Sequence, residues 1–162
     1  MPDRFPRPEV ILLVEDNPDD VALTVRAFRK NNFVNEIVVA RDGAEARDLL
    51  LPTDGREALR PLIALVDLNM PRVGGLELIR SLRADPRTEL LPVIVLTTSS
   101  EERDIAESYR LGANSFVRKP VTFGEFLTAA NVLGMYWLMV NEPPGAAVEV
   151  DRPEPADRAS RT

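Results

Sequence analysis

The sequence predicts an α/β fold: a doubly wound, five-stranded parallel sheet covered by helices on both faces, in three layers α/β/α. Three observations predict it. Short runs dominated by apolar residues recur at 10–14, 37–40, 62–66, 93–96 and 115–117, and a strand apolar on both faces is one buried on both faces. Amphipathic segments of helical spacing lie between them. Strands alternating with helices connect by right-handed crossovers, which place helices on both sides of a parallel sheet.

The first run, from Val10, halts at Glu15-Asp16-Asn17-Pro18, an acidic loop leading into a helix whose first turn accepts Pro18. Val21, Val25 and Phe28 approximate a helical stripe that Asn31-Asn32 ends. The second strand leads to a helix over 44–51 and a turn at Pro52-Thr53-Asp54-Gly55. The third strand is followed by a helix containing Leu76, Leu78, Ile79 and Leu82. After the fourth, Ser99 or Ser100 suits the N-cap of a helix over 101–111. The short fifth strand precedes a long last helix over 123–141. Residues 1–8 read as an N-terminal extension, 9–141 as the folded domain, and 142–162, rich in Pro and charge, as a tail.

Composition narrows the chemistry. The 162 residues suit one domain, and 44% hydrophobic with 28% charged residues is the balance of a soluble globular chain. A net charge of -6 disfavours binding to nucleic acid. Cys and His are both absent, which excludes disulfides, thiolate nucleophiles, Ser-His-Asp triads and imidazole metal sites, and leaves oxygen ligands for a hard cation. No signal peptide and no apolar run near the ~20 residues of a membrane span are apparent, so a cytoplasmic protein is expected.

In a doubly wound sheet, ligands bind at the carboxyl ends of the strands. That rule gathers Glu15-Asp16, Asp67-Leu68-Asn69, Thr97-Thr98 and Lys119-Pro120 on one edge. Three carboxylates that close repel one another and call for a cation; Mg²⁺ with several waters fits the oxygen-only donor set. Asp16 or Asn17 before Pro18 would equally serve as a helix cap. Asp67 ends an apolar strand with no helix immediately after it to cap. Lys119 is one of two lysines among many arginines, and a compact ammonium beside carboxylates suits a phosphoryl oxygen. Thr97 offers a hydroxyl to the same edge, as do Thr98, Ser99 and Ser100. A carboxylate nucleophile, metal carboxylates, an ammonium and a hydroxyl together describe phosphoryl transfer.

Four segments in order, Leu12-Leu13-Val14-Glu15-Asp16-Asn17, Leu65-Val66-Asp67-Leu68-Asn69-Met70-Pro71, Pro92-Val93-Ile94-Val95-Leu96-Thr97 and Gly112-Ala113-Asn114-Ser115-Phe116-Val117-Arg118-Lys119-Pro120, resemble the receiver domain of bacterial two-component response regulators, over residues 9–141. The resemblance implies a flavodoxin-like receiver fold in which Asp67 accepts a phosphoryl group from a sensor histidine kinase. It implies Mg²⁺ held by Asp16, Asp67 and the carbonyl of Asn69, with Glu15 acting through water and Lys119 holding a phosphoryl oxygen. Thr97 and Phe116 match the family's switch pair, which biases the surface of the fourth helix, fifth strand and fifth helix; Phe116 has a second reading as plain core. The long last helix with Tyr136-Trp137, the segment from Pro52 to Pro61 and Glu142-Pro143-Pro144 resemble single-domain regulators paired with phytochromes, so a bacteriophytochrome is an expected kinase. Residues 142–162 are too few for a DNA-binding output domain, and output is expected through protein contacts or a phosphorelay.

On a helical wheel, Phe123, Phe126, Ala130, Leu133, Trp137 and Val140 form the core face of the last helix. Val132, Met135, Tyr136 and Met139 form a second apolar stripe where polar residues belong. Such a stripe marks an interface, and a homodimer through it is expected; the alternative is cover by the tail. Among rival functions, a haloacid-dehalogenase-type phosphatase needs a second acid two residues after the nucleophile, where this chain has Asn69. A flavodoxin-like cofactor carrier conflicts with the acidic loop after the first strand. A phosphorylation-independent adaptor conflicts with the intact set Asp16, Asp67, Thr97 and Lys119.

Overall fold

The computed structural model describes residues 10–144. The extension 1–8 and the tail beyond residue 144 therefore lie outside the described residues. The elements run β1 (Ile11–Val14), α1 (Pro18–Lys30), β2 (Ile37–Ala40), α2 (Gly43–Leu50), β3 (Ile63–Val66), α3 (Gly75–Ala84), β4 (Val93–Thr97), α4 (Glu102–Leu111), β5 (Ser115–Arg118) and α5 (Phe123–Gly134), with a π-helical segment Met135–Val140 closing the series. All five strands are parallel, in the order β2-β1-β3-β4-β5. The chain order reverses between β1 and β3, creating the crevice in which doubly wound sheets bind ligands.

Strand alternation divides the core in two. Leu12 and Val14 of β1 join Leu78, Ile79 and Leu82 of α3 and Ala46 and Leu50 of α2 on one face. Ile11 and Leu13 join Ala27 and Phe28 of α1 and Phe126 and Ala130 of α5 on the other. Successive residues of a strand point to opposite faces, so an apolar run is the sequence that satisfies both layers. On the second face the α5–π segment packs close: Asn31 Nδ2 donates to the Leu127 carbonyl over 2.9 Å, and Gly134 lies under the Phe33 ring with no room for a Cβ.

The structure departs from the sequence reading in three places. Neither Ser99 nor Ser100 caps α4: Glu101 occupies the N-cap without a side-chain hydrogen bond, because the Ser99 hydroxyl donates to Asp104 Oδ2 at 2.6 Å. The last helix does not stay α-helical to residue 141; from Met135 its bonds run i→i+5, as in Asn141 N to the Tyr136 carbonyl. Each π residue turns the chain less than an α residue does, so the wheel drifts. Val140, assigned to the core face, is 64% exposed, while Leu138 takes a place against the core. Val132, Met135, Tyr136 and Met139 are exposed as expected. The eighteen residues Phe123–Val140 are also long and apolar enough to cross a bilayer by length and composition; here Phe126 and Ala130 are buried against the sheet.

Candidate functional site at the carboxyl edge of the sheet

Strand register sets the site. Pairing aligns Val14 with Val66, so the residues that follow, Glu15 and Asp67, emerge together; the Asp67 amide donates to the Val14 carbonyl at 3.0 Å. Asn17 caps α1, its Oδ1 accepting from the amides of Asp19 (2.9 Å) and Asp20 (3.4 Å). That leaves Asp16 exposed and uncommitted and Glu15 buried. Glu15, Asp16 and Asp67 each offer a carboxylate oxygen, and these oxygens lie within 4.8 Å of one another. Three hard oxygen donors at that spacing fit a divalent cation such as Mg²⁺ or Mn²⁺.

Lys119 enters from the end of β5, held by its amide on the Thr97 carbonyl at 2.8 Å. Its ammonium donates to Glu15 Oε2 at 2.5 Å, Asp20 Oδ2 at 2.9 Å and Asp67 Oδ2 at 3.3 Å. The other oxygens are also engaged: Glu15 Oε1 accepts from the Asn17 amide at 3.1 Å and Asp67 Oδ1 from the Asn69 amide at 3.3 Å. Burial pushes the Glu15 carboxyl up to about 7; the Asp67 charge adds to the rise, and the Lys119 hydrogen bond opposes it. Burial works against the Lys119 charge too, yet its bonds to Glu15 and Asp20 and the field of Asp67 outweigh it and raise its pKa. It remains an ammonium.

The β3–α3 loop is pressed onto this site. Gly75, the first residue of α3, sits against the Asp67 carbonyl, and a Cβ there would lie 2.9 Å from Leu68 Cα. Among the predicted residues, Glu15, Asp16, Asp67 and Lys119 come together. Asn69 is exposed beside Asp67. Thr97 is fully buried, its hydroxyl oxygen accepting from the Ser99 amide at 3.4 Å. Phe116 is half-buried and packs on the core cluster beneath α2 and α3. The stripe Val132, Met135, Tyr136 and Met139 belongs to a separate surface on the last helix. Sequence reasoning missed Asp20. The signal for it was its place three residues after the Asn17 cap, in a first turn that begins at this sheet edge. The groove of about 280 Å³ lined by Leu59, Pro61, Leu91, Pro92 and Pro143 lies away from this chemistry, beside the amino-terminal ends of β3 and β4.

Residues 11–131 match the response regulator receiver domain. The chain belongs to that family. This receiver is 36% identical to the probable methanogenesis regulatory protein FilR2 of Methanothrix harundinacea, over 86% of the chain and 90% of that protein. It is 32% identical to the response regulator Rcp1 of Synechocystis, over 90% of the chain and all of Rcp1. The Mn²⁺-bound structure of Rcp1 superposes with a TM-score of 0.78, covering 85% of this receiver and 100% of Rcp1. The bacteriophytochrome response regulator AtBRR is 45% identical with a TM-score of 0.67, again over 85% of the receiver and 100% of its relative. The protein is thus a receiver-domain response regulator, a signalling protein that accepts phosphorylation, similar to the phytochrome response regulators.

Proposed function

We propose that Asp67 is the phosphoryl acceptor of this regulator and that the donor is a phosphohistidine on a sensor kinase of the bacteriophytochrome class. The observation that carries the proposal is the placing of one Asp67 oxygen on the Lys119 ammonium within a cluster of three carboxylates. An Asp67 oxygen attacks phosphorus in line as the phosphorus–nitrogen bond breaks. The imidazole leaves with the bonding electron pair, and Asp67 becomes an acyl phosphate. Mg²⁺, held by Asp16, Asp67 and the Asn69 carbonyl with Glu15 acting through water, would neutralise the charge developing on the phosphoryl oxygens. Lys119 binds one of those oxygens as a point charge.

The signal leaves through Thr97 and Phe116. A phosphoryl oxygen recruits the Thr97 hydroxyl, and the Phe116 ring turns into the space vacated, biasing the surface of α4, β5 and α5. Phe116 carries no hydroxyl, so this switch works by packing alone. The exposed stripe Val132, Met135, Tyr136 and Met139 suits a second copy of the chain, giving a homodimer through the last helix. With a net charge of -6, output through protein contacts or a phosphorelay is favoured over DNA, in the cytoplasm where kinase domains work. The protein acts as an acceptor rather than as a turnover enzyme.

Incubation with acetyl phosphate and Mg²⁺ followed by intact-mass measurement tests the assignment. Wild type gains one phosphoryl mass and Asp67→Asn gains none; equal gain by both removes Asp67 from its role.

A further inference from the structure

The Lys119 ammonium has three N–H donors and meets three carboxylates. Two of them, Glu15 and Asp67, also belong to the three-acid cluster that suits a divalent cation. Each is therefore offered to two positive charges at once. Asp20 differs: it contacts the ammonium from the first turn of α1 and stands outside that cluster. We propose that Asp20 is a positioning residue, holding the Lys119 ammonium toward α1 so that Glu15 and Asp67 remain available to the cation. The proposal rests on the reading of this edge as a cation and phosphoryl site.

The cation and the ammonium compete for the same two acids. A divalent ion drawn to Glu15 and Asp67 weakens their hold on the ammonium and repels it. Asp20 supplies a charge-assisted bond that the ion does not contest, so the ammonium stays beside the acceptor while the two acids turn to the metal. Without the Asp20 charge, the ammonium leans on Glu15 and Asp67 and competes with the ion. In the phosphorylated state the three donors can be shared among Glu15, Asp20 and a phosphoryl oxygen, which takes the place of the consumed Asp67 carboxylate.

Asp19 provides a matched control. It lies one residue away in the same turn and is exposed, so Asp19→Asn changes the charge equally without touching Lys119. Mn²⁺ binding to the full chain is read from the paramagnetic resonance of the free ion. Asp20→Asn is expected to weaken Mn²⁺ on the order of tenfold, the usual scale for a group that orients metal ligands, and Asp19→Asn less than about twofold, as a screened surface charge. Asp20→Glu restores most of the loss. In a Lys119→Met background the Asp20→Asn effect shrinks to that of Asp19→Asn, because the influence passes through the ammonium. Equal effects of Asp20→Asn and Asp19→Asn, or an Asp20→Asn effect undiminished by Lys119→Met, overturn the positioning role while leaving the cation site intact. A wild type that takes up no Mn²⁺ removes the cation site and the proposal together.

Discussion

Replacing Gly75 by Ala tests how tightly the Asp67–Leu68 loop is clamped. At the start of a helix Ala is the better residue by up to about 1 kcal/mol, so propensity alone predicts stabilisation. Geometry predicts the reverse. The new Cβ collides with the Asp67 carbonyl oxygen and lies 2.9 Å from Leu68 Cα, and both obstacles are backbone, which cannot rotate aside. Relief requires lifting either the Asp67–Leu68 loop or α3, whose Leu78, Ile79 and Leu82 are fully buried. Overpacking of this kind costs about 1–3 kcal/mol, which lowers Tm by roughly 2–12 °C at 2–4 °C per kcal/mol for a chain of this size. On the proposed role of Asp67 as acceptor, displacing it also slows phosphorylation by acetyl phosphate. Gly124→Ala calibrates the result: it lies in the first turn of α5, and its new Cβ meets nothing within 4 Å. Calorimetry and the rate of acyl phosphate formation report the two effects. A Gly75→Ala protein as stable and as reactive as Gly124→Ala would refute the clamp.

Metal-free protein loses stability as pH rises from 5.5 to 8, because Glu15 has a folded pKa of about 7 against an ordinary 4.5. Its contribution is complete below the unfolded value and vanishes as pH passes the folded one. Asp42 and Asp85 are shifted downward and contribute a constant amount across that window, so thermal melts should show the slope in wild type and a flat profile in Glu15→Gln. Mg²⁺ is expected to stabilise more at pH 8 than at pH 5.5, since it requires the ionised carboxylate. On the last helix, the pair Tyr136→Asp and Met139→Asp should convert the proposed dimer to a monomer in sedimentation velocity, with Tm changed by less than about 3 °C because both side chains are exposed; a dimer that survives both substitutions places the interface elsewhere.

The sheet and most of its edge were legible because apolar runs and their polar endings are local signals. Asp67 was readable as an acid terminating a buried strand, and the parallel order then brought it to Glu15 without further information. What escaped depended on contacts between distant segments. Asp20 and Lys119 lie 99 residues apart, and nothing near either one announces the pairing. Ser99 has the composition of an N-cap, yet its hydroxyl donates to the carboxylate of Asp104, five residues on in α4. Asp16 and Asn17 suit a cap equally by type, and it is the Asn17 oxygen that accepts from the amides of Asp19 and Asp20. Val140 was misplaced because a fixed 3.6-residue period cannot anticipate a change of helix type.

The π-helical segment Met135–Val140 gives this helix a place to absorb one residue of length. A π turn holds about one residue more than an α turn, so six π residues fall behind an α-helix by roughly the ~100° that one residue spans. Deleting a single residue between 135 and 140 would let the segment relax into α-helix, and Phe126 and Ala130 would keep their seats on the sheet. Five α residues sweep about 500°, the same as six π residues lagging by one residue's ~100°, so whatever follows residue 140 would keep its facing and only the side chains within 135–140 would be redistributed. A one-residue change that a plain α-helix would pass on as a rotation of ~100° is absorbed, in this segment, by a change of helix type.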